Sequence, residues 1–199
     1  MEKQEIVLAS NNPGKVKEVN ELLADSAFHI LPQSEFDVVE AEETGLTFVE
    51  NAILKARNAA RYTSHPVIAD DSGIEVIALK GRPGIYSARY AGLDASDKAN
   101  LDKLIEDIKP LDVADRNARF VCSMVFLRHA EDPTPLISQG IWNGVVVTEP
   151  RGRNGFGYDP MFYVPTHDCT SAELSPEIKN QLSHRGQALS NLIKQIREM

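Results

Sequence analysis

With 199 residues, 42% of them apolar and 25% charged, the chain can bury a core of ordinary size and fold as a single domain in two lobes. A net charge of -8 argues against a nonspecific nucleic-acid binder, which needs surplus Lys and Arg for the phosphate backbone, yet leaves room for a small anionic ligand. No run approaches the roughly 20 apolar residues of a membrane span, Met1 to Glu5 lacks the order of a signal peptide, and Cys122 and Cys169 have no zinc-like or disulfide-like spacing; the expectation is a soluble, cytoplasmic protein with no membrane partner.

Ile6 to Ala9 is an apolar strand, Ser10 to Gly14 is turn-forming, and Val16, Val19, Leu22 and Leu23 recur at helical spacing. Asn12 suits an N-cap and Pro13 the first helical turn, so the loop delivers unpaired N–H groups beside Lys15. Phe28 to Leu31 is a second short strand, followed by an acidic loop from Glu35 to Gly45. Thr47 and Glu50 have capping-box spacing and open a helix through Ala52, Ala56, Ala59 and Ala60, on which Asn51 and Lys55 share a face. Val67 to Ala69 reads as a buried strand ending in a tight turn at Asp70-Asp71-Ser72-Gly73. Ile74 to Leu79 alternates as the next strand, broken at Gly81 to Gly84, and Ser96 to Lys109 is a helix.

Asn117 to Arg128 carries apolar residues on both faces and is expected to be covered on both sides; Cys122 sits within it as a buried thiol. Leu136 to Thr148 and Met161 to Val164 add strand character, Ser175-Pro176 starts a short helix, and Ser183 caps a terminal one. The order predicts an α/β fold with a long mixed β-sheet flanked by helices. The breaks at Gly81 to Gly84 and Pro110 to Arg116 are the places where the chain is expected to bend into two lobes.

Asp70 and Asp71 concentrate negative charge that an ordinary turn exposes to water or a metal ion neutralises; both readings stand on the spacing alone. Ser10-Asn11-Asn12-Pro13-Gly14-Lys15 lacks the earlier Gly and the following Ser or Thr of a Walker A loop, but a helix start with Lys15 favours an anion; otherwise Lys15 is a solvated surface charge. Lys55 is a second candidate cation for it. Glu42-Glu43 is either a solvated acidic loop or a partner of Asp70-Asp71 around a hard ion such as Mg2+. Gly152 to Pro160 is either a Gly-rich turn anchored by core aromatics or a ring presented to a planar ligand. Ser183-His184-Arg185-Gly186 is a cap with solvated charges, or a set of donors for a ligand carbonyl.

These segments, with Glu42 to Ala52 and Pro83 to Tyr90, resemble in order the inosine triphosphate pyrophosphatase family, in its bacterial dITP/XTP branch, over nearly the whole chain. The resemblance implies a mixed sheet with a central cleft between two lobes, a homodimer, and hydrolysis of ITP, dITP and XTP to monophosphate and pyrophosphate with Mg2+. It implies that Ser10, Asn11, Asn12, Pro13, Gly14, Lys15 and Lys55 hold the triphosphate, with Ser72 nearby. Glu42, Glu43 and Asp71 would serve the metal, with Asp71 the general base, and Phe156, Gly157, Tyr158, Asp159, Lys179, His184 and Arg185 would enclose the base. Two alternatives remain: a noncatalytic nucleotide sensor, which leaves the carboxylates idle, and a pyrophosphatase for modified pyrimidine or ordinary deoxynucleotides.

Overall fold

The computed structural model describes residues 3–24 and 26–199; Met1 and Glu2, at the head of the N-terminal stretch read above, lie outside them. The strands are β1 (Gln4–Leu8), β2 (Phe28–Pro32), β3 (Val67–Val76), β4 (Asn117–Leu127), β5 (Leu136–Val146), β6 (Phe162–Val164) and β7 (Cys169–Thr170). The helices are α1 (Pro13–Leu23), α2 (Phe48–Ala59), α3 (Asp97–Ile108), α4 (Pro176–Leu182) and α5 (His184–Arg197). The strands form one sheet in the order β2-β1-β3-β4-β5-β6-β7. Pairing of β1 with β2 and β3 is parallel and pairing of β6 with β5 and β7 is antiparallel, so the sheet is mixed, as expected.

The chain divides into two compact units, Met1–Asp71 with Cys122–Gly140 and Gly186–Met199, and Ser72–Val121 with Ile141–Arg185. In the first, strand alternation sorts side chains onto two faces. Ile6, Leu8, Ile68, Cys122, Met124 and Phe126 cluster with Val19 and Leu23 of α1 and Leu189, Leu192 and Ile193 of α5. Val7, Ala9, Val67, Ala69, Val125 and Leu127 cluster with Ala52, Ala56 and Ala59 of α2. The small alanine face lets α2 lie close to the sheet and carries Asn51 and Lys55 with it.

In the second unit, Phe120 packs on Phe162 with ring centroids 4.5 Å apart and Trp142 on Phe162 at 5.1 Å, within a cluster that includes Leu104, Ile108, Tyr158 and Met161. Gly144 is required there, because a Cβ would come within 2.6 Å of both the Phe162 ring and the Tyr163 carbonyl oxygen.

Three expectations are corrected. Asp70-Asp71-Ser72-Gly73 is not a turn at a strand end: it lies inside β3, which runs unbroken from Val67 to Val76. The turn tendency of Asp and Gly is overridden by pairing of Val67 and Ile68 with Val7 and Leu8, and by lysines that neutralise both carboxylates. Ile74 to Leu79 is not a separate strand either; Ile74 to Val76 complete β3 and Ile77–Leu79 is a 3-10 turn. Gly73 is needed because a Cβ would lie 2.4 Å from the Gly84 carbonyl and from Ser87 Oγ, which accepts from the Ile74 N–H at 3.0 Å. Finally, the unit boundaries fall within β3, β4, β5 and the first turn of α5 rather than at Gly81 to Gly84 or Pro110 to Arg116.

Candidate active site

In the first unit, the loop after β1 is shaped by its own polar groups. Ser10 Oγ accepts from the Asn12 N–H at 3.2 Å, and Asn12 Oδ1 accepts from the Lys15 N–H at 3.1 Å as the N-cap of α1. Asn11, Asn12 and Pro13 are exposed and Gly14 is half-buried, so the helix start presents backbone donors outward. The Lys15 side chain turns inward, where its Nζ is 3.1 Å from Asp70 Oδ2. Cys122 Sγ is 3.9 Å from the same oxygen, so Asp70 faces the side of the sheet that α1 and α5 cover.

One residue further along β3 the side chain points to the other face. There Lys55 Nζ donates to Asp71 Oδ1 at 2.7 Å and to Glu43 Oε1 at 3.0 Å. Asn51 Nδ2 donates to Asp71 Oδ2 at 3.3 Å, while Asn51 Oδ1 accepts from the Gly45 N–H at 2.8 Å. Glu42 is exposed at the start of this loop, and its carbonyl accepts from the Thr44 N–H.

Glu43, Asp70 and Asp71 thus meet two lysines, which leaves a surplus of negative charge around Asp71 and Lys55. Burial raises the pKa of Asp71 above the usual carboxylate value, Glu43 repels its charged form, and Lys55 and Lys15 only partly offset this. Burial opposes the charged form of Lys55, but attraction from Asp71, Asp70 and Glu43 outweighs it and lifts the pKa.

Such a surplus suits a cation. Glu43 and Asp71 converge on one Lys55 nitrogen, so two hard oxygens already point at a common position. Among the described residues no group of three or more His, Cys, Asp or Glu side chains is gathered as a ready-made metal cage. This donor set fits an ion that takes one or two carboxylates and completes its shell with water and substrate phosphates, the habit of Mg2+.

In the second unit, the Gly155 to Asp159 turn is built around Asp159. Asp159 Oδ2 accepts from the Phe156 N–H at 2.8 Å and from Lys179 Nζ at 2.7 Å, and Oδ1 accepts from Ser171 Oγ at 2.8 Å. With its oxygens so occupied, Asp159 organises the turn. Gly155, at φ +75°, leaves no room for a Cβ, which would sit 2.0 Å from Asp159 Oδ2. Gly157, at φ +60°, donates its N–H to Asp97 at 3.0 Å, and the buried Tyr158 hydroxyl donates to the Ser87 carbonyl at 2.7 Å.

The Phe156 ring carries two cations, Lys179 Nζ 5.3 Å and the Arg185 guanidinium 5.6 Å from its centroid. Arg185 also donates to Ser72 Oγ at 2.8 Å. His184, opening α5, stacks nearly parallel on Phe120 at 4.7 Å and 9°. The candidate residues therefore gather in two groups: the helix start, Lys15, Lys55, Glu43 and Asp71 in the first unit, and Ser72, the Phe156 to Asp159 turn, Lys179, His184 and Arg185 in the second. Asn51, Asp97, Phe120 and Ser171 support these groups without having been assigned a site role by the sequence, where only the shared face of Asn51 and Lys55 was a visible signal; Asp70, read there as half of a metal-suited pair, is 3.1 Å from Lys15 Nζ.

An α/β sheet protein with an anion-ready helix start, a metal-suited lysine–carboxylate cluster and a cation-flanked aromatic turn falls in the class of phosphate-ester and nucleotide-handling proteins. The chain belongs to the Ham1 family, which matches residues 6–195. It is 57% identical over 193 residues to the dITP/XTP pyrophosphatase of Vibrio parahaemolyticus serotype O3:K6, covering 97% of this chain and 96% of that one. The solved structure of a HAM1 protein from Coxiella burnetii superimposes with a TM-score of 0.90 at 51% identity, covering 98% of this chain and all of that one. The Ham1 protein of Staphylococcus aureus matches with a TM-score of 0.83 at 46% identity, covering 98% of each chain.

Proposed function

We propose that this chain hydrolyses non-standard purine nucleoside triphosphates, ITP, dITP, XTP and dXTP, to the monophosphate and pyrophosphate, and so keeps deaminated purines out of DNA and RNA. The observation that carries the reading is the convergence of Glu43, Asp71 and Lys55 in a chain 57% identical to a dITP/XTP pyrophosphatase over nearly its whole length. A sensor would have no use for that cluster.

In this reading Lys15, Lys55 and the Ser10 to Gly14 loop bind the triphosphate, using ammonium charge and the N–H groups at the start of α1. Ser72 assists. Glu43 and Asp71, with Glu42 at the head of the same loop, hold Mg2+, which when bound polarises phosphate oxygens and acidifies water. Asp71 is the general base that takes the proton of the attacking water, and its raised proton affinity matches the task. The lysines stabilise the charge that develops as pyrophosphate departs.

Phe156 offers its ring to the purine, while His184, Arg185 and Lys179 are donors suited to a base with a 6-oxo group. Adenine puts an amino donor at that position, so the same donors disfavour it. Gly157, Tyr158 and Asp159 fix the turn that holds Phe156. The protein is taken to work as a cytoplasmic homodimer. Among the described residues no helix is long and apolar enough to cross a membrane.

The test is incubation with ITP, XTP, dGTP, dTTP and dUTP plus Mg2+, with identification of the products. Monophosphate and pyrophosphate from ITP and XTP alone are expected. Stepwise release of orthophosphate, equal use of dTTP, or binding without turnover would each overturn the reading.

A further inference from the structure

We propose that Asn51 is a positioning residue that sets the acidic loop of Glu43 against Asp71. The inference rests on the pyrophosphatase reading above. Its side chain is completely buried, and its amide is used at both ends: Oδ1 accepts from the Gly45 N–H at 2.8 Å and Nδ2 donates to Asp71 Oδ2 at 3.3 Å. The orientation is fixed by chemistry. A backbone N–H can only donate and an ionised carboxylate can only accept, so one amide orientation satisfies both partners.

Two residues on one face of α2 therefore tie the same loop to the same aspartate. Lys55 does so through charge, joining Glu43 Oε1 and Asp71 Oδ1, and Asn51 does so through a neutral amide, joining the loop backbone to Oδ2. The two links differ in permanence. Lys55 is a cation that a triphosphate draws toward itself, whereas a buried amide offers a phosphate no charge. When Lys55 turns to the substrate, the Asn51 amide still joins the loop backbone to the aspartate. Being neutral, it holds Asp71 without cancelling the charge that makes the carboxylate a base and a metal ligand.

Gly45 is matched to this role from the other side. A Cβ there would lie 2.6 Å from Glu50 Cβ and 2.7 Å from Asn51 Oδ1, so any side chain pushes the loop off the amide. The nearby Thr47 and Glu50 fix the helix start, with Glu50 accepting from the Leu46 N–H at 2.9 Å and Thr47 Oγ1 accepting from the Glu50 N–H at 3.3 Å. They hold the helix; Asn51 alone among these groups touches Asp71.

The test compares wild type, Asn51→Ala, Asn51→Asp and Gly45→Ala, reading kcat and KM for ITP, the Mg2+ concentration for half-maximal rate, and hydrogen exchange at the Gly45 amide. Loss of such an orienting partner typically costs on the order of 10- to 100-fold in activity or metal affinity. Asn51→Ala is expected to lower kcat about tenfold or more with KM within about twofold, to raise the half-saturating Mg2+ about threefold or more, and to speed Gly45 exchange. Asn51→Asp keeps an acceptor for Gly45 but loses the donor to Asp71, so it should preserve Gly45 protection while losing kcat. Gly45→Ala combined with Asn51→Ala should cost little more than either alone, because both break one link. An unchanged kcat, or a loss explained by the fraction of unfolded protein, would overturn the proposal. If wild type releases no pyrophosphate from ITP, the functional reading fails, and Gly45 exchange still decides whether Asn51 tethers the loop.

Discussion

At the scale of single residues, the adjacent aspartates are set apart by the alternation of a strand. Asp70 meets Lys15 on one face of β3 and Asp71 meets Lys55 on the other. Asp71→Asn is expected to lower turnover of ITP by about two orders of magnitude or more with the fold intact by circular dichroism, as for a lost base and metal ligand. Lys15→Ala should do two separable things: raise KM for ITP, and lower thermal stability because Asp70 is left as a buried charge without its ammonium. Adding Asp70→Asn to Lys15→Ala should recover melting temperature but not KM. Recovery of both would remove Lys15 from the triphosphate site. Asp70 was visible in the sequence, but that it would be used to hold Lys15 was not, because the two are 55 positions apart and meet only through β1–β3 pairing.

Among the elements, the connection after β4 carries its own clasp. Asp132 accepts from the Arg128 N–H at 3.0 Å, Arg128 Nε at 2.8 Å and the Thr134 N–H at 3.0 Å, and pairs with Arg128 Nη2 at 2.6 Å. Hydrogen bonding from Arg128, with the backbone donors, holds its carboxyl far below the usual range although burial opposes this. A folded-state pKa depressed in this way contributes stability above the unfolded value, near 3.9, and loses it as pH falls further toward the folded value. Asp132→Asn should therefore cost about 1–3 kcal/mol at pH 7. The gap in melting temperature between wild type and variant should narrow at about pH 3; an equal gap at both pH values would contradict the assignment.

The elements also show where local signals suffice. Asn12 and Thr47 cap their helices as their sequence positions indicate, and Ser96 and Ser175 cap the helices that the sequence starts at them, since a cap is made by residues within one turn. The Asp-Asp-Ser-Gly stretch misled because its strand is enforced by β1, far away in the chain. β7, of two residues, has no periodicity to read and exists only through its register with β6.

For the whole molecule, the proposed assignment of phosphate to Lys55 and of the base to Arg185 makes a prediction about selectivity. Lys55→Ala should depress kcat/KM for ITP and ATP in similar proportion, since phosphate is common to both. Arg185→Ala should cost ITP about tenfold or more and narrow the preference for ITP over ATP. If the ratio stays fixed in Arg185→Ala, the second unit does not read the base. Removal of divalent ions with EDTA should abolish pyrophosphate release and Mg2+ should restore it; full activity in EDTA would exclude Mg2+ from the mechanism.

The chain's letters alone determined the α/β class, the helix starts, the cation beside the first helix and the family, because each depends on neighbours in sequence or on ordered motifs. Only the tertiary structure decided that β3 runs through the aspartates, that Lys55 bridges Glu43 and Asp71, that Asn51 uses both ends of its amide, and that Asp159 is consumed by Phe156, Lys179 and Ser171. The physical reason is range. A carboxylate's role depends on which donors surround it, and those donors arrive from segments brought together by sheet pairing and core packing.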